Sequence, residues 1–310
     1  MRSWRFRGVV LLAAGIILNG CNHHEEAAKV DAPRLVTGVQ LRDVAFWSAA
    51  LNRSMQYRAI FPAEISPVRK LPVLYLLHGG GGGFSDWSNY SDIASFAKSG
   101  MILIMPEGDD SYYTNSAERP QDRYEDYIAN DLIKDVEKNF PVAPDREHRA
   151  IAGVSMGGFG AVNIALKHPE LFAFAAGISP ALDVPSRRFS IKRIGQWRHH
   201  ESIFGAWDSD TRRNNDPFVL AAKADPSRVA YLFLSCGEQE GLFPSVKRFA
   251  NLLAQRKFTY EFHAEPGGHN WNQWNERLPD LFASLKQHAS FSDRALRTAA
   301  RPARVPAAAR

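Results

Sequence analysis

Short apolar runs alternate with longer amphipathic segments along most of this chain, and this alternation is the feature that most restricts its fold. The apolar runs read PVLYLLHG, MILIMP, RAIAGVS, FAFAAGIS, VAYLFLSCG and TYEFHAEPGG, with helix-like patterns such as FPSVKRFANLLAQRK between them. Strands that are apolar on both faces and separated by helices predict an α/β fold with a mostly parallel central sheet and helices on each side. Upstream, residues 36–62 alternate in the manner of antiparallel strands that extend this sheet.

The first residues have a different character. A basic segment, MRSWRFR, precedes an apolar run of about eleven residues, GVVLLAAGIIL, and then LNGC, which ends at Cys21. This order is typical of an export signal, and the last four residues resemble a bacterial lipobox. We expect residues 1–21 to be a lipoprotein-type signal peptide, with Cys21 lipidated and the protein exported to the periplasm or the cell surface on a membrane anchor. A plain signal peptide that is cleaved elsewhere is the alternative.

The distribution of charge and the number of cysteines exclude some classes of protein. The net charge is +5, but residues 1–21 carry three arginines and the 289–310 tail carries five arginines and one aspartate, so about −2 remains for the body between them. The body therefore has no basic excess for nucleic acid. With only Cys236 besides Cys21, no disulfide framework is possible. We expect a tether over 22–34, one domain over 35–288, and a flexible basic tail.

A serine between glycines follows one of the apolar runs. GVSMG spans Gly153 to Gly157, where a predicted strand gives way to a predicted helix. A strand-to-helix elbow of this kind exposes the hydroxyl of Ser155 as a nucleophile. The alternative is a serine that only caps the following helix.

A serine hydroxyl needs a base, and the base needs an acid that orients it. His269, in EPGGHNW, follows the last predicted strand on a loop that can reach the elbow. The acid should follow the preceding strand, where CGEQEG offers Glu238 and Glu240. The position one turn beyond the strand favours Glu240, with Glu238 as the alternative.

A run of five glycines, residues 79–83, follows the first long apolar run. So many glycines indicate a backbone that must approach something closely. The N–H groups of Gly80 and Met156 are candidates for an oxyanion hole, and His78 is expected to shape the loop. Neither a phosphate-binding loop nor a nucleotide fingerprint continues from the run, and no metal-ligand spacing occurs. We therefore expect no cofactor and no metal.

Four separated blocks resemble the esterase D family of α/β-hydrolases: LPVLYLLHGGGGGFSDW, YEDYIANDLIKDVEKNFPV, RAIAGVSMGGFGAVNIALKHPELF and PGGHNWNQW. That family includes tributyrin, feruloyl and acetyl-xylan esterases, S-formylglutathione hydrolases and mycolyltransferases. The resemblance implies an α/β-hydrolase fold over about residues 35–288, with Ser155 as nucleophile, His269 as base, and Gly80 and Met156 as oxyanion donors. Where the family usually has Cys-Gly-x-x-Asp, this chain ends the pattern with Glu240.

We therefore expect a serine carboxylesterase that hydrolyses small acyl or aryl esters through an acyl-enzyme. Acyl transfer or an S-formylglutathione hydrolase-like thioesterase activity on the same triad are alternatives, as is a non-catalytic binding lipoprotein. Residues 181–216 are expected to form a cap-like insertion. Aromatic candidates for the wall of its pocket are Trp87, Tyr112, Tyr113 and Trp197, with Phe204 and Trp207 also in the cap.

Overall fold

The computed structural model describes residues 30–66, 68–189 and 191–291. Contacts divide the chain into two compact units, Met1–Asp31 and Ala32–Arg310. Of the first unit only residues 30 and 31 are described, and they belong to no helix or strand. The predicted signal peptide, its Cys21 and nearly all of the predicted tail lie outside the described residues.

The second unit is built on a sheet of eight strands in the order β1-β2-β4-β3-β5-β6-β7-β8. Its two N-terminal strands pair with each other and with β4 in antiparallel fashion, and the remaining neighbours are parallel. The strands are β1 Val39–Ser48, β2 Arg53–Pro62, β3 Val73–Leu77, β4 Ile102–Pro106, β5 Arg149–Val154, β6 Phe174–Ile178, β7 Tyr231–Gly237 and β8 Tyr260–Glu265. This arrangement confirms the predicted fold class.

Helices connect the strands as the amphipathic patterns predict. The α-helices are α1 Asp86–Tyr90, α2 Ala94–Ala97, α3 Tyr124–Asp126, α4 Ile133–Asn139, α5 Met156–Lys167, α6 Ile194–Phe204, α7 Asp210–Arg213, α8 Pro217–Lys223, α9 Phe243–Arg256, α10 Trp271–Glu276 and α11 Leu278–His288. A π-helical segment, Tyr127–Leu132, joins α3 to α4. Short 3₁₀ turns cover Arg146–His148, Val184–Ser186 and Ile191–Arg193.

The core lies on both faces of the sheet because side chains alternate along each strand. In β3, Val73, Tyr75 and Leu77 join one apolar cluster, which also holds buried residues of α4, α5 and α9. Leu74 and Leu76 point the other way, into a cluster that includes residues of α2 and α11. Burial on both faces explains why these strands read as continuous apolar runs.

The segment between β6 and α8 is the one for which we predict a cap-like insertion, and we refer to it as the cap. It contains α6, α7 and two of the 3₁₀ turns. A third, smaller apolar cluster holds it against the domain, in which Ile203 and Phe204 of α6 pack on Phe159 of α5. None of the helices in the described ranges combines the length and apolar character needed to cross a bilayer.

Candidate active site

Ser155 lies at a sharp bend between β5 and α5. Its φ of 55° and ψ of −113° fall outside the regions that serine normally adopts, and α5 begins at the next residue. Hydrogen bonds fix this strained backbone: its N–H donates to the Ile178 carbonyl at 2.9 Å, and its carbonyl accepts from the Ala181 N–H at 3.1 Å. The Ser155 side chain makes no capping hydrogen bond to α5. The Ser155 hydroxyl therefore does not act as a cap for α5.

The Ser155 hydroxyl instead faces an imidazole from far downstream. Its Oγ lies 2.8 Å from Nε2 of His269, and Nδ1 of the same ring lies 2.7 Å from Oε2 of Glu240. His269 sits on the loop after β8, and the Trp274 ring packs against it edge to face at 4.9 Å between centroids. The structure thus brings together three side chains that are separated by up to 114 residues along the chain.

Glu240 is held as a carboxylate in a buried position. Its Oε1 accepts hydrogen bonds from the Ser179 hydroxyl at 2.6 Å and from the Gly237 N–H at 3.0 Å. Burial raises the pKa of Glu240, but the hydrogen bonds from His269, Ser179 and Gly237 outweigh burial and leave the pKa below its usual value. Glu238, the alternative acid, is exposed, and its backbone N–H donates to the Glu265 carbonyl.

The loops that carry Glu240 and His269 touch each other through a glycine. A Cβ added to Gly237 would lie 2.3 Å from the Gly267 carbonyl oxygen, which no real side chain allows. The Gln239 N–H also donates to that carbonyl at 3.2 Å. Glycine at residue 237 therefore permits the close approach that places the acid beside the base.

The glycine run after β3 passes alongside the elbow. A Cβ on Gly79 would lie 3.6 Å from the Ser155 Cβ, and the Gly82 N–H donates to the Gly79 carbonyl at 3.1 Å to close a turn. Gly80 lies at the second position of this turn. The Gly81 N–H donates to Oδ1 of Asp110 at 2.6 Å, which ties the turn to the loop after β4. Met156 lies at the start of α5, where N–H groups have no partner within the helix.

A partly buried pair of titratable side chains, His78 and Glu107, supports the base of the glycine turn. His78 Nε2 lies 3.1 Å from Oε1 of Glu107, and its Nδ1 lies 2.8 Å from the Gly79 carbonyl. Burial of His78 lowers its pKa, but the Glu107 carboxylate outweighs burial and the pKa is raised overall. Burial of Glu107 raises its pKa, but the hydrogen bonds from His78 and from backbone N–H groups lower it to about 2. His78 thus contacts the glycine turn through the Gly79 carbonyl, and its second partner is Glu107.

Two of the predicted pocket residues are wrong. Trp87 is 1% exposed, and its Nε1 donates to the Leu77 carbonyl at 3.0 Å, so its ring belongs to the core. Tyr113 is 0% exposed, and its hydroxyl donates to the His78 carbonyl at 3.1 Å. Neither side chain offers surface to a substrate. Both side chains instead hold the backbone at Leu77 and His78, directly before the glycine turn.

The other two aromatic candidates contact the cap. The Tyr112 hydroxyl lies 3.2 Å from Nε2 of His200 on α6, and its ring packs edge to face on Phe159 at 5.6 Å. Trp197 stacks on Trp207 at 6.1 Å between centroids and lines a cavity on the cap. Both side chains are partly exposed. Their role in a substrate pocket remains a prediction.

Ser179 and Trp274 are functional candidates that the sequence reasoning missed. The Ser179 hydroxyl donates to Glu240 and accepts from Nε1 of Trp274 at 3.1 Å. Ser179 has a positive φ of 48° just after β6, next to the strand that leads into the elbow. A polar residue at the carboxyl end of a parallel strand is the signal that would have found it.

One group of side chains has the composition of a metal site. Ligand atoms of His263, Glu265 and Asp280 lie within 4.8 Å of one another. Arg277 forms ion pairs with both Glu265 and Asp280. Since Arg277 already pairs with both carboxylates and His263 contacts Glu261, these contacts account for the group without a metal ion.

Known proteins match this chain over most of its length. A family model described as "Putative esterase" matches residues 48–285. An acetyl esterase of Caldicellulosiruptor saccharolyticus is 24% identical over 258 residues, which cover 78% of this chain and 96% of that protein. Esterase Rv1288 of Mycobacterium tuberculosis is 30% identical over 69% of this chain, but the match spans only 50% of that protein. The solved structure of FphF, a fluorophosphonate-binding serine hydrolase of Staphylococcus aureus, is 25% identical with a TM-score of 0.69 and covers 80% of this chain and 98% of its own.

Because of the His78–Glu107 pair, we expect the free energy of unfolding to fall both at low pH and at high pH. Because the pKa of Glu107 falls from 4.5 to about 2 on folding, its contribution is present above pH 4.5 and is lost as pH falls toward 2. Because the pKa of His78 is raised above 6.5, its contribution is present below 6.5 and is lost as pH rises through the raised pKa. We expect Glu107→Gln to lower the free energy of unfolding by on the order of 2 kcal/mol near pH 5.5 and by less near pH 9, measured by urea unfolding. Glu118→Gln, an exposed carboxylate, is the control, and an equal loss at both pH values for Glu107→Gln would contradict this account.

Proposed function

The chain belongs to the esterase family and is an enzyme that acts on carboxylic esters, and we propose that it hydrolyses small acyl or aryl esters through an acyl-enzyme on Ser155. The observation that carries this proposal is the continuous hydrogen-bond relay from Ser155 through His269 to Glu240, with distances of 2.8 and 2.7 Å. A nucleophile, a base within reach, and a buried acid that orients the base are the parts that nucleophilic acyl transfer requires.

The direction of proton transfer follows from the state of Glu240. As a carboxylate, it accepts the Nδ1–H of His269, which leaves Nε2 with a lone pair toward Ser155. When Oγ attacks the ester carbonyl, its proton passes to Nε2 and the imidazolium is stabilised by Glu240. The same proton then goes to the departing alcohol, and the carbonyl re-forms as an acyl-enzyme. A water molecule, deprotonated by His269, repeats the attack and releases the acid.

The charge that develops on the carbonyl oxygen needs donors that are already in position. The Met156 N–H at the start of α5 and the Gly80 N–H in the neighbouring turn are the proposed donors. The N-terminal end of α5 adds a positive partial charge at the same point. Support for this assignment comes from the closeness of the glycine turn to Ser155 and from its attachment to Asp110.

Loss of the nucleophile is the first test. We expect Ser155→Ala to reduce kcat for hydrolysis of a short-chain p-nitrophenyl ester by about 10⁴-fold or more, because only the oxyanion donors and binding remain. Near-wild-type hydrolysis by this variant would refute the proposal. Analysis of products with and without an added alcohol distinguishes hydrolysis from acyl transfer on the same acyl-enzyme.

The two glutamates give a matched pair for the acid. Glu240→Gln keeps the shape of the side chain but removes the charge that stabilises the His269 imidazolium, so we expect kcat to fall by roughly 10³- to 10⁴-fold. Glu238→Gln changes an exposed side chain in the same loop and should leave kcat within about twofold, as is typical of surface changes. Steady-state kinetics of the two variants decide the assignment. Greater damage from Glu238→Gln would reverse it.

We further propose that the protein is exported and anchored by lipid at Cys21, on the strength of the basic, apolar and LNGC segments before it. We expect Cys21→Ser to abolish incorporation of labelled palmitate in a bacterial host and to move the protein from the detergent phase to the aqueous phase. Undiminished labelling of Cys21→Ser would contradict the anchor.

A further inference from the structure

A cavity of about 470 Å³ opens on the cap, outside the groups that take part in the proposed reaction. Its wall is formed by the segment that follows β6, by the 3₁₀ turn Ile191–Arg193, and by the first turns of α6. The charged and aromatic members of this wall are Asp183, Arg187, Arg188, Lys192, Arg193 and Trp197. We refer to it as the cap cavity.

The cap cavity has a large excess of positive charge. Four of its lining side chains are cationic and one is anionic, and the single carboxylate, Asp183, already pairs with Arg187 at 2.9 Å. Arg188, Lys192 and Arg193 have no acidic partner within the described part of the chain. Burial and the nearby Arg187 lower the pKa of His200, which also lines the cavity, to about 4. At neutral pH the wall therefore presents three uncompensated cations and no histidine charge.

The cap cavity lies close to the reacting serine. The Ala181 N–H donates to the Ser155 carbonyl at 3.1 Å, and Asp183 follows two residues later. Two residues of chain extend at most about 7 Å, so the Asp183 backbone lies within about 10 Å of the Ser155 backbone. On the opposite wall, His200 contacts Tyr112, whose ring packs on Phe159 one turn along α5. A substrate that occupies both places must therefore span on the order of 10 Å.

The geometry points to the cap cavity as a binding site for a carboxylate group carried by the ester substrate. This inference rests on the proposed esterase function and adds a substrate class to it, namely esters with a carboxylate several bonds from the scissile bond. Arginine and lysine are the side chains that bind carboxylates with charge-assisted hydrogen bonds, and the anion already held in this wall, Asp183, is a carboxylate. Trp197 adds a flat apolar surface beside the cations, on which the carbon chain of such a substrate would pack.

The cap also carries apolar side chains on its outer surface. Phe189 is 55% exposed and Ile191 is 71% exposed, and both alternate with the cationic residues. An anionic lipid surface would be attracted to such a pattern. We favour the small carboxylate because the cations line a concavity rather than a flat face, and membrane binding becomes an outcome of the test.

Matched pairs of charged and neutral esters test the inference. On the acyl side, 4-nitrophenyl hydrogen adipate is compared with 4-nitrophenyl methyl adipate, and on the alcohol side, 4-acetoxybenzoate with its methyl ester. We expect kcat/KM to favour the charged member of at least one pair by roughly tenfold at low salt, as a charge-assisted hydrogen bond gives. Added salt should reduce this preference. Equal kcat/KM within both pairs would overturn the inference.

Variants then locate the preference in the cap cavity. We expect the preference for the charged ester to fall to about twofold or less when the three unpaired cations are neutralised together, as Arg188→Gln, Lys192→Gln and Arg193→Gln. The control removes the same charge from the exposed lysines of α4 and α8, as Lys134→Gln, Lys138→Gln and Lys223→Gln, and should keep the preference. If the cavity variant keeps the preference for the charged ester, the cap cavity does not cause it. If the preference falls equally in both variants, it comes from the overall charge of the protein.

Binding measured without turnover separates this inference from the proposed function. Calorimetric titration of Ser155→Ala with the same esters should show tighter binding of the charged member, and the three cavity substitutions should remove the difference. If Ser155→Ala still hydrolyses the esters, the proposed function fails, and the same titration with the corresponding amides, which resist hydrolysis, still decides the carboxylate site. If the cavity variant loses only co-sedimentation with phosphatidylglycerol vesicles and keeps its ester preference, the cap is a membrane surface and the carboxylate site is refuted.

Discussion

The bend at Ser155 is the constraint on which the rest of the site depends. A serine with φ of 55° is strained by about 1–3 kcal/mol, and it persists because hydrogen bonds to Ile178, Ala181 and Phe159 fix the backbone on both sides. The bend also requires close packing beneath it, since a Cβ on Gly157 would lie 2.2 Å from the Leu77 carbonyl oxygen. Sheet and helix therefore hold the hydroxyl in one place before any substrate arrives, which is the preorganisation that nucleophilic catalysis uses.

Parallel topology brings the remaining groups to this bend. The ends of β5, β6 and β7 are neighbours, so Ser155, Ser179 and Glu240 meet at one edge of the sheet, and the loop after β8 delivers His269. Each group restrains the next: Ser179 and Gly237 fix the carboxylate, the carboxylate fixes the imidazole, and the imidazole faces the hydroxyl. Electrostatics and geometry thus act together, because the hydrogen bonds that position Glu240 also keep it ionised.

Local signals in the sequence were sufficient for the sheet, for the elbow, and for the choice of His269 and Glu240, but not for Ser179 and Trp274, which complete the hydrogen bonds around Glu240. Apolar runs buried on both faces give strands directly, and a glycine-flanked serine at a strand end marks the bend. The position one turn beyond the strand favoured Glu240, the family resemblance implied the same residue, and Glu240 is the glutamate that contacts His269. The sequence did not show in which direction each side chain points. Trp87 and Tyr113 follow the right strands but point into the core, and the cationic wall of the cap cavity forms only when a 3₁₀ turn and α6 fold back toward Asp183.

Activation of Ser155 by His269 is tested by covalent labelling of Ser155 with a fluorophosphonate, with the labelled residue located by peptide mass spectrometry. We expect rapid modification of Ser155 in the wild-type chain and a large loss of labelling in His269→Ala. His263→Ala should label as the wild type does, because that histidine lies within β8 and contacts Glu261. Unmodified Ser155 in the wild-type chain, or equal labelling of Ser155 in His269→Ala, would contradict the account.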